Sequence, residues 1–174
     1  MKRLVRLRRG ETRRGLARLG ARDAPLRFLN WHDGALNMQG RHHRLRAILI
    51  GLGVETALVS SPRDFHADHK AAFALVARAT TNTMISVGTY EVWSRVDLCR
   101  VRAREPGLAL KKWAAAAHRS QLGRYIIDDP SAFIMDGAAL IALVSTPERY
   151  QMLLPLKTRN KGRKPPICVK VGIP

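Results

Sequence analysis

Apolar residues between positions 41 and 156 occur in short runs whose spacing changes repeatedly from helix-like to strand-like. Leu45, Ile48 and Leu49 are at helical spacing in a run that also suits a buried strand, and 54–60 is rich in β-branched and apolar residues. For the first half of this region, the pattern predicts a helix or buried strand at 42–52, a strand at 54–60, a helix from 61 to about 79, and strands at 83–93 and 94–103. For the second half, it predicts a helix at 108–127, strands at 132–135 and 139–144, and a short helix from 146 to about 154.

Two local signals mark element boundaries. Ser61-Pro62-Arg63-Asp64 combines a capping residue, a proline at the first helical position and an acid in the first turn, which is typical of a helix start. Asp136-Gly137 between two apolar runs is typical of a hairpin turn. Helical spacing also predicts buried side chains in the two longer helices: Phe65, Ala72, Phe73, Val76 and Ala79 in one, and Leu110, Trp113, Ala117 and Tyr125 in the other.

These elements predict an α+β fold. We expect a single domain at 41–156, with a mainly antiparallel sheet and about three helices. About 110 residues are enough for one hydrophobic core. On this interpretation a basic N-terminal arm at 1–40 and a basic C-terminal tail at 157–174 flank the domain.

One short sequence occurs twice, 85 residues apart. Residues 57–62 read Ala-Leu-Val-Ser-Ser-Pro and residues 142–147 read Ala-Leu-Val-Ser-Thr-Pro, each followed three positions later by an aromatic residue. A duplicated half-domain would produce this similarity. The alternative is that strand, cap, proline and aromatic residue together form a common junction between a strand and a helix.

Charge is concentrated at the two ends of the chain. The 174 residues include 31 Lys+Arg and 13 Asp+Glu, for a formal net charge of +18. Residues 1–46 carry +10, residues 47–156 carry +2 and residues 157–174 carry +6. Because like charges repel until a counter-charge arrives, we expect the N-terminal segment to become ordered on its partner.

This distribution indicates a polyanionic partner, and nucleic acid is the one whose phosphates gain most from dense Lys and Arg. Trp31, next to the basic arm, is a candidate for stacking on a base. The candidate nucleic-acid-binding residues are Lys2, Arg3, Arg6, Arg8, Arg9, Arg13, Arg14, Arg18, Trp31, Arg41, Arg44, Arg46, Lys157, Arg159, Lys161, Arg163 and Lys164.

Other classes of protein are less compatible with the sequence. It contains no run of about 18 uninterrupted apolar residues, so we expect no membrane-spanning helix. Two cysteines, Cys99 and Cys168, are too few for a disulfide framework or a zinc site built on thiolates. No dinucleotide, zinc-finger or catalytic cysteine signature is present, so we expect no cofactor, no bound metal and no assigned catalytic residue.

The strongest candidate for chemistry is Asp64-Phe65-His66-Ala67-Asp68-His69. On a helix, His66 and His69 share one face, and Asp64 and Asp68 share a neighbouring one. Two imidazoles and a carboxylate can bind a divalent metal or act as a general acid–base pair. The structural alternative is that the acids favour the positive end of the helix dipole while the histidines are solvated.

We therefore expect a non-enzymatic nucleic-acid-binding protein, with RNA favoured over DNA. Its most concrete form is a structural subunit of a ribonucleoprotein such as a ribosome, in contact with other proteins, and either cytoplasmic or, in a eukaryote, mitochondrial. Two alternatives stay open. One is a small nuclease or ribonuclease that uses His66, His69 and Asp64, and the other is a DNA-binding regulator or mobile-element accessory protein.

Overall fold

The computed structural model describes residues 2–31, 36, 41–92, 105–123, 134–146, 148 and 150–153. Its elements are α1 (Lys2–Arg18), α2 (Arg41–Gly51), β1 (Thr56–Ser60), α3 (Ala67–Thr80), β2 (Ser86–Tyr90), α4 (Glu105–Ala115), a 3-10 helix (Arg119–Leu122), α5 (Gly137–Ser145) and β3 (Tyr150–Leu153). These elements belong to two compact units. One contains α1, α4, the 3-10 helix and α5, and the other contains the sheet with α2 and α3.

The sheet unit is built on a β-α-β crossover. β1 and β2 are parallel, α3 connects them, and β3 pairs antiparallel with the other edge of β2. α3 packs on β1 and β2, and α2 packs on α3. Among the described residues of this unit, the buried apolar side chains are Ala57, Val59, Leu75, Ala79 and Ile85. Because β1 and β2 are parallel, their carboxyl ends lie at the same edge of the sheet.

Gly88 allows two large side chains to cover the centre of the sheet. It pairs with Leu58 on one side and Met152 on the other. A Cβ atom at this position would lie 2.5 Å from Leu58 Cδ2 and 2.8 Å from Met152 Sδ, so a larger residue here would displace the ends of these two exposed side chains.

The helical unit is organised around a buried carboxylate. α1 packs on α4 and on the 3-10 helix, and α4 packs on α5. Glu11 in α1 is fully buried and accepts hydrogen bonds from the Ser120 backbone N–H (2.7 Å) and hydroxyl (2.6 Å). A buried charge is tolerated because it is hydrogen-bonded. Gly15, one turn further along α1, is buried against Ala114 and His118.

The α+β class is confirmed by five α-helices and a three-stranded sheet among the described residues. The ambiguous segment at 42–52 forms helix α2, the strand predicted at 54–60 is β1, and β2 lies within the predicted 83–93. The mainly antiparallel sheet and the count of about three helices are not confirmed, because one strand pair is parallel and the helices number five in the described part of the chain.

Two predicted elements near the end of the chain are wrong. Residues 139–144, predicted as a strand, lie in α5, because Asp136 Oδ2 accepts the N–H groups of Ala138 and Ala139 and so begins a helix and not a hairpin. The helix predicted from 146 to about 154 gives way to β3, which pairs along an edge of β2.

Two other predictions change at the start of an element. The helix predicted from residue 61 begins at Ala67, because the Asp64 side chain first accepts the His66 N–H and His66 becomes the cap. The basic segment predicted to order on a partner contains α1, a 17-residue helix. Its packing on α4 explains the difference, because helices gain most of their stability from tertiary contacts.

Several predicted core positions are exposed. Phe65, Leu110 and Trp113 are exposed, with Trp113 55% exposed, whereas Ala79 and Ala117 are buried as predicted. Three other predictions fall outside the described residues: the burial of Tyr125, the strand at 94–103, and the part of the strand at 132–135 that ends at residue 133. The predicted boundaries between the arm, the domain and the tail, at residues 40 and 156, stay predictions, because positions 37–40 and 154–174 also lie outside the described residues.

Candidate functional site

The His/Asp cluster lies where β1 leads into α3, at the carboxyl edge of the two parallel strands. The Ser61 N–H donates to the Tyr90 carbonyl (2.9 Å), so the connection after β1 stays attached to the end of β2. Asp64, His66, Asp68 and His69 follow within eight residues of Ser61. The carboxyl edge of parallel strands is where open α/β sheets gather the side chains of their ligand sites.

Asp64 is the buried centre of this cluster. Its side chain is fully buried, its Oδ1 accepts the His66 backbone N–H (3.2 Å), and its Oδ2 lies 2.9 Å from His69 Nδ1. The imidazole of His69 is 28% exposed. A buried carboxylate is thus joined to a histidine that reaches solvent, and the two form an ion pair when the histidine is protonated.

His66 is held beside His69 by a helix cap. Its Nδ1 accepts the Asp68 backbone N–H (3.2 Å), and its ring lies 4.8 Å from the His69 ring, centroid to centroid. In the neutral tautomer that this bond requires, Nε2 carries the proton and can donate it. The arrangement therefore places one imidazole with a donor Nε2–H next to a second imidazole in contact with a carboxylate.

Asp68 and Ser60 help to position the cluster. Asp68 is buried, and its Oδ1 accepts the Leu36 backbone N–H (3.4 Å). The Ser60 hydroxyl donates to the His69 carbonyl oxygen (3.2 Å) and links the end of β1 to the first turn of α3. The sequence indicates that the cluster belongs to a helix start, and the structure adds that Asp64 pairs with His69.

A second polar group lies at the same edge of the sheet. Arg63 Nη2 donates to Gln151 Oε1 (2.7 Å) and lies 3.8 Å from Oε1 of Glu91, whose side chain is only 2% exposed. Burial raises the pKa of the Tyr90 phenol, and the carboxylates of Glu148 and Asp64 raise it further, so the phenol keeps its proton at neutral pH. Sequence reasoning missed this group because β3 brings Gln151 to the site from 88 residues away.

The residue types of the His/Asp cluster are ones that bind divalent metals in proteins. Among the residues that the structure describes, no three His, Cys, Asp or Glu side chains form a group that could hold a metal ion. The contacts that the structure does show are the pair Asp64–His69 and the neighbouring ring of His66.

The predicted nucleic-acid-binding residues of α1 divide between its surfaces. Arg3, Arg6, Arg13 and Arg14 are exposed, and Arg8, Arg9 and Arg18 are half-buried. The Arg18 guanidinium lies over the Trp113 ring and donates to the Trp113 carbonyl (2.7 Å). Of Lys2, only the backbone in α1 is described, and Lys157, Arg159, Lys161, Arg163 and Lys164 lie outside the described residues.

In the sheet unit, the candidate residues have different roles. Arg46 donates to the carbonyl oxygens of Ala79 and Thr81 and so satisfies the end of α3. The Arg41 guanidinium lies 5.4 Å from the centre of the Trp31 ring, so Trp31 already stacks on an arginine. Arg44 is exposed.

A cavity of about 390 Å³ lies beside the last two turns of α1. Its lining residues are Arg13, Arg14, Leu16, Ala17, Arg22, Ala24 and Leu26. Close by, the guanidinium groups of Arg9 and Arg13 lie 5.0 and 5.5 Å from the centre of the Phe28 ring. Arg22 and Phe28 were absent from the sequence-based candidates. The signal that could have found them is Gly20, a helix-ending residue after which the chain can fold back.

None of the helices in the described ranges is long and apolar enough to cross a membrane. No protein-family model matches the chain, and no curated protein matches it.

Proposed function

We propose that this protein is a hydrolase whose acid–base centre is the Asp64–His69 pair with His66 beside it. The observation that carries the proposal is the 2.9 Å contact between the fully buried Asp64 carboxylate and the solvent-reaching His69 imidazole. Burying a carboxylate in this position costs free energy, and capping a helix does not require it, since an exposed acid caps equally well. A carboxylate that orients a histidine is a recurring arrangement in enzymes that activate water or a hydroxyl group.

Each side chain has a defined part in the reaction. Nδ1 of His69 lies 2.9 Å from Asp64 Oδ2 without the alignment of a hydrogen bond. In the proposed reaction the ring turns so that Nδ1–H donates to Asp64, and Nε2 takes a proton from water as the water oxygen attacks the scissile carbon or phosphorus atom. Asp64 stabilises the imidazolium that forms, and this imidazolium then returns the proton to the leaving group. The Nε2–H of His66 donates to the oxygen on which negative charge develops.

The test is a hydrolysis assay with one acyl and two phosphodiester probes. p-Nitrophenyl acetate, bis(p-nitrophenyl) phosphate and labelled RNA are incubated with the purified full chain, with added divalent metal and with chelator. We expect hydrolysis of at least one probe, and a loss of roughly 10²–10⁴-fold in kcat for His69→Ala. Asp64→Asn should lower kcat while leaving KM nearly unchanged, because Asp64 acts through His69.

The matched control is His43→Ala, which removes an exposed histidine from α2 in the same unit and should leave the rate unchanged. Thermal melts of all variants separate loss of chemistry from loss of folding. No hydrolysis by the wild type, or equal rates for the wild type and a folded His69→Ala variant, would assign the cluster to helix capping alone.

A second candidate function is nucleic-acid binding through the helical unit, and the observation that favours it is the cavity lined by Arg13, Arg14 and Arg22. In this role the protein would be an RNA-binding subunit of a ribonucleoprotein. Replacing the exposed Arg3, Arg6 and Arg13 by glutamine should weaken binding to RNA and lower its salt dependence, because fewer counterions are released. Equal RNA affinity for the wild type and the triple variant would exclude these arginines of α1 as the binding surface. Stronger binding to duplex DNA than to RNA would favour a DNA-binding regulator.

A further inference from the structure

The cavity beside α1 owes its existence to the way the helix ends. Gly20 has a left-handed backbone with φ +78°. The Gly20 N–H donates to the Ala17 carbonyl (3.1 Å) and the Ala21 N–H to the Leu16 carbonyl (2.9 Å), which is the Schellman arrangement. Residues 21–26 consequently return alongside the helix, and Arg22 comes to line the same cavity as Arg13 and Arg14.

Three cations around one cavity are unfavourable unless an anion joins them. Among the described residues, neither Arg13, Arg14 nor Arg22 takes part in an ion pair, and Asp23 is the one acid between positions 12 and 31 of the sequence. Guanidinium groups bind phosphate through paired N–H donors, and a phosphate bound here would offset their mutual repulsion.

The rest of the lining is apolar. Leu16, Ala17, Ala24 and Leu26 complete the wall of this cavity, which has a volume of about 390 Å³ and is half open to solvent. Inorganic phosphate would leave this apolar surface without a partner. A ligand that combines a phosphate with a flat, poorly hydrated group uses both parts of the cavity.

We propose that this cavity binds one nucleotide of a single-stranded nucleic acid. The inference rests on the second candidate function and specifies its site. The phosphodiester contacts Arg13, Arg14 and Arg22, and the unstacked base lies against Leu16 and Leu26. A base-paired strand cannot present its base in this way, so single strands are selected over duplexes.

The test is fluorescence anisotropy with a 12-nucleotide single-stranded RNA, the DNA of the same sequence and the corresponding duplex. Arg22→Ala should weaken single-strand binding by about tenfold, the effect of losing one charge-assisted phosphate contact. Leu26→Glu should weaken it at least as much, because it places a negative charge in the cavity. Arg27→Ala is the matched control, because Arg27 is exposed five residues later and does not line the cavity, so its loss should change affinity less than about threefold.

The outcomes separate the site from the function. If the wild type binds neither single strand nor duplex, both the cavity and nucleic-acid binding are refuted; if it binds the duplex alone, only the cavity is refuted. If it binds and Arg22→Ala equals Arg27→Ala, nucleic-acid binding stands and the cavity is refuted, as it is if the duplex binds more tightly than either single strand. Equal affinity for RNA and DNA, with Arg22→Ala weaker than the control, supports the shared chemistry, and a preference for one of them identifies the natural strand.

Discussion

Glu11 shows how a single side chain can organise a unit of this protein. It lies in the most basic segment of the sequence, yet it faces the interior of the helical unit and not the neighbouring arginines. Its two carboxylate oxygens accept the Ser120 N–H and hydroxyl from 109 residues away. The acid therefore connects α1 to the 3-10 helix, a role that charge counting along the sequence does not reveal.

Replacing Glu11 should destabilise the protein strongly. Glu11→Ala should lower the free energy of unfolding by about 3 kcal/mol, because it removes two hydrogen bonds to a charged group and leaves buried Ser120 donors unpaired. Urea denaturation measures the loss. Glu55→Ala, at an exposed glutamate, should change stability by less than about 0.5 kcal/mol. Equal losses for the two variants would contradict the role of Glu11.

His118 makes the same unit sensitive to acid. Burial lowers the pKa of His118 below its usual range, the nearby Glu11 carboxylate opposes this shift, and Arg14 adds to it. The unfolded chain therefore binds a proton near pH 6.5 that the folded chain does not bind. Above about pH 6.5, His118 is neutral in both states and takes nothing from the free energy of unfolding. As the pH falls from there toward the pKa of the folded state, the unfolded chain gains this proton and the free energy of unfolding decreases.

A His118→Gln variant should accordingly show a weaker pH dependence of stability. Between about pH 7 and pH 5 the unfolding free energy of the wild type should fall more steeply than that of the variant, because the other titrating groups are common to both. Urea titrations at several pH values measure the two slopes. Parallel slopes would mean that the folded protein protonates His118 as readily as the unfolded chain does.

At the scale of elements, the repeated Ala-Leu-Val-Ser sequence is the most instructive comparison. Residues 57–60 belong to β1, where Ala57 and Val59 are buried and the strand pairs with β2. Residues 142–145 belong to α5. The same four residues thus adopt two structures, and the interpretation as a duplicated half-domain is wrong for these positions. A short apolar run has no period of its own, so its surroundings decide between helix and strand.

The helical outcome at α5 depends on Asp136, the capping residue that precedes it. Asp136→Ala should lower the free energy of unfolding by about 1 kcal/mol, because the Ala138 and Ala139 N–H groups lose their acceptor. Asp136→Ser keeps a capping oxygen and should retain most of the stability. Chemical denaturation followed by circular dichroism compares the three proteins. A stable Asp136→Ala variant would show that packing alone holds α5.

At the scale of the whole molecule, charge dominates the expected behaviour. A net charge of +18 on 174 residues repels itself, and exposed arginines on α1 and α2 contribute to that repulsion. The Asp64–His69 pair and the cavity next to α1 are local features within this field. They belong to different compact units, so one can be altered by substitution without removing the other.

Added salt should therefore stabilise the protein. The Tm should rise between low salt and roughly 0.3 M NaCl, because screening at this ionic strength weakens repulsion between exposed charges. A variant with Arg3, Arg6 and Arg44 replaced by glutamine should show a smaller rise, and the corresponding lysine variant should behave like the wild type. Differential scanning fluorimetry measures all three, and a Tm that falls with salt would contradict the expectation.

The sequence by itself determined the features that are local. Residue type and spacing within a few turns are enough to predict the strand at β1, the end of α3, the concentration of basic residues, and His66 and His69 as candidate functional residues. Tertiary structure alone decided three others: that 150–153 pairs as a strand with β2, that Glu11 meets Ser120, and that Arg22 joins Arg13 at one cavity. The reason is physical: a hydrogen bond or a strand pairing between distant residues depends on how the chain reverses between them, and no periodicity in either segment encodes that path.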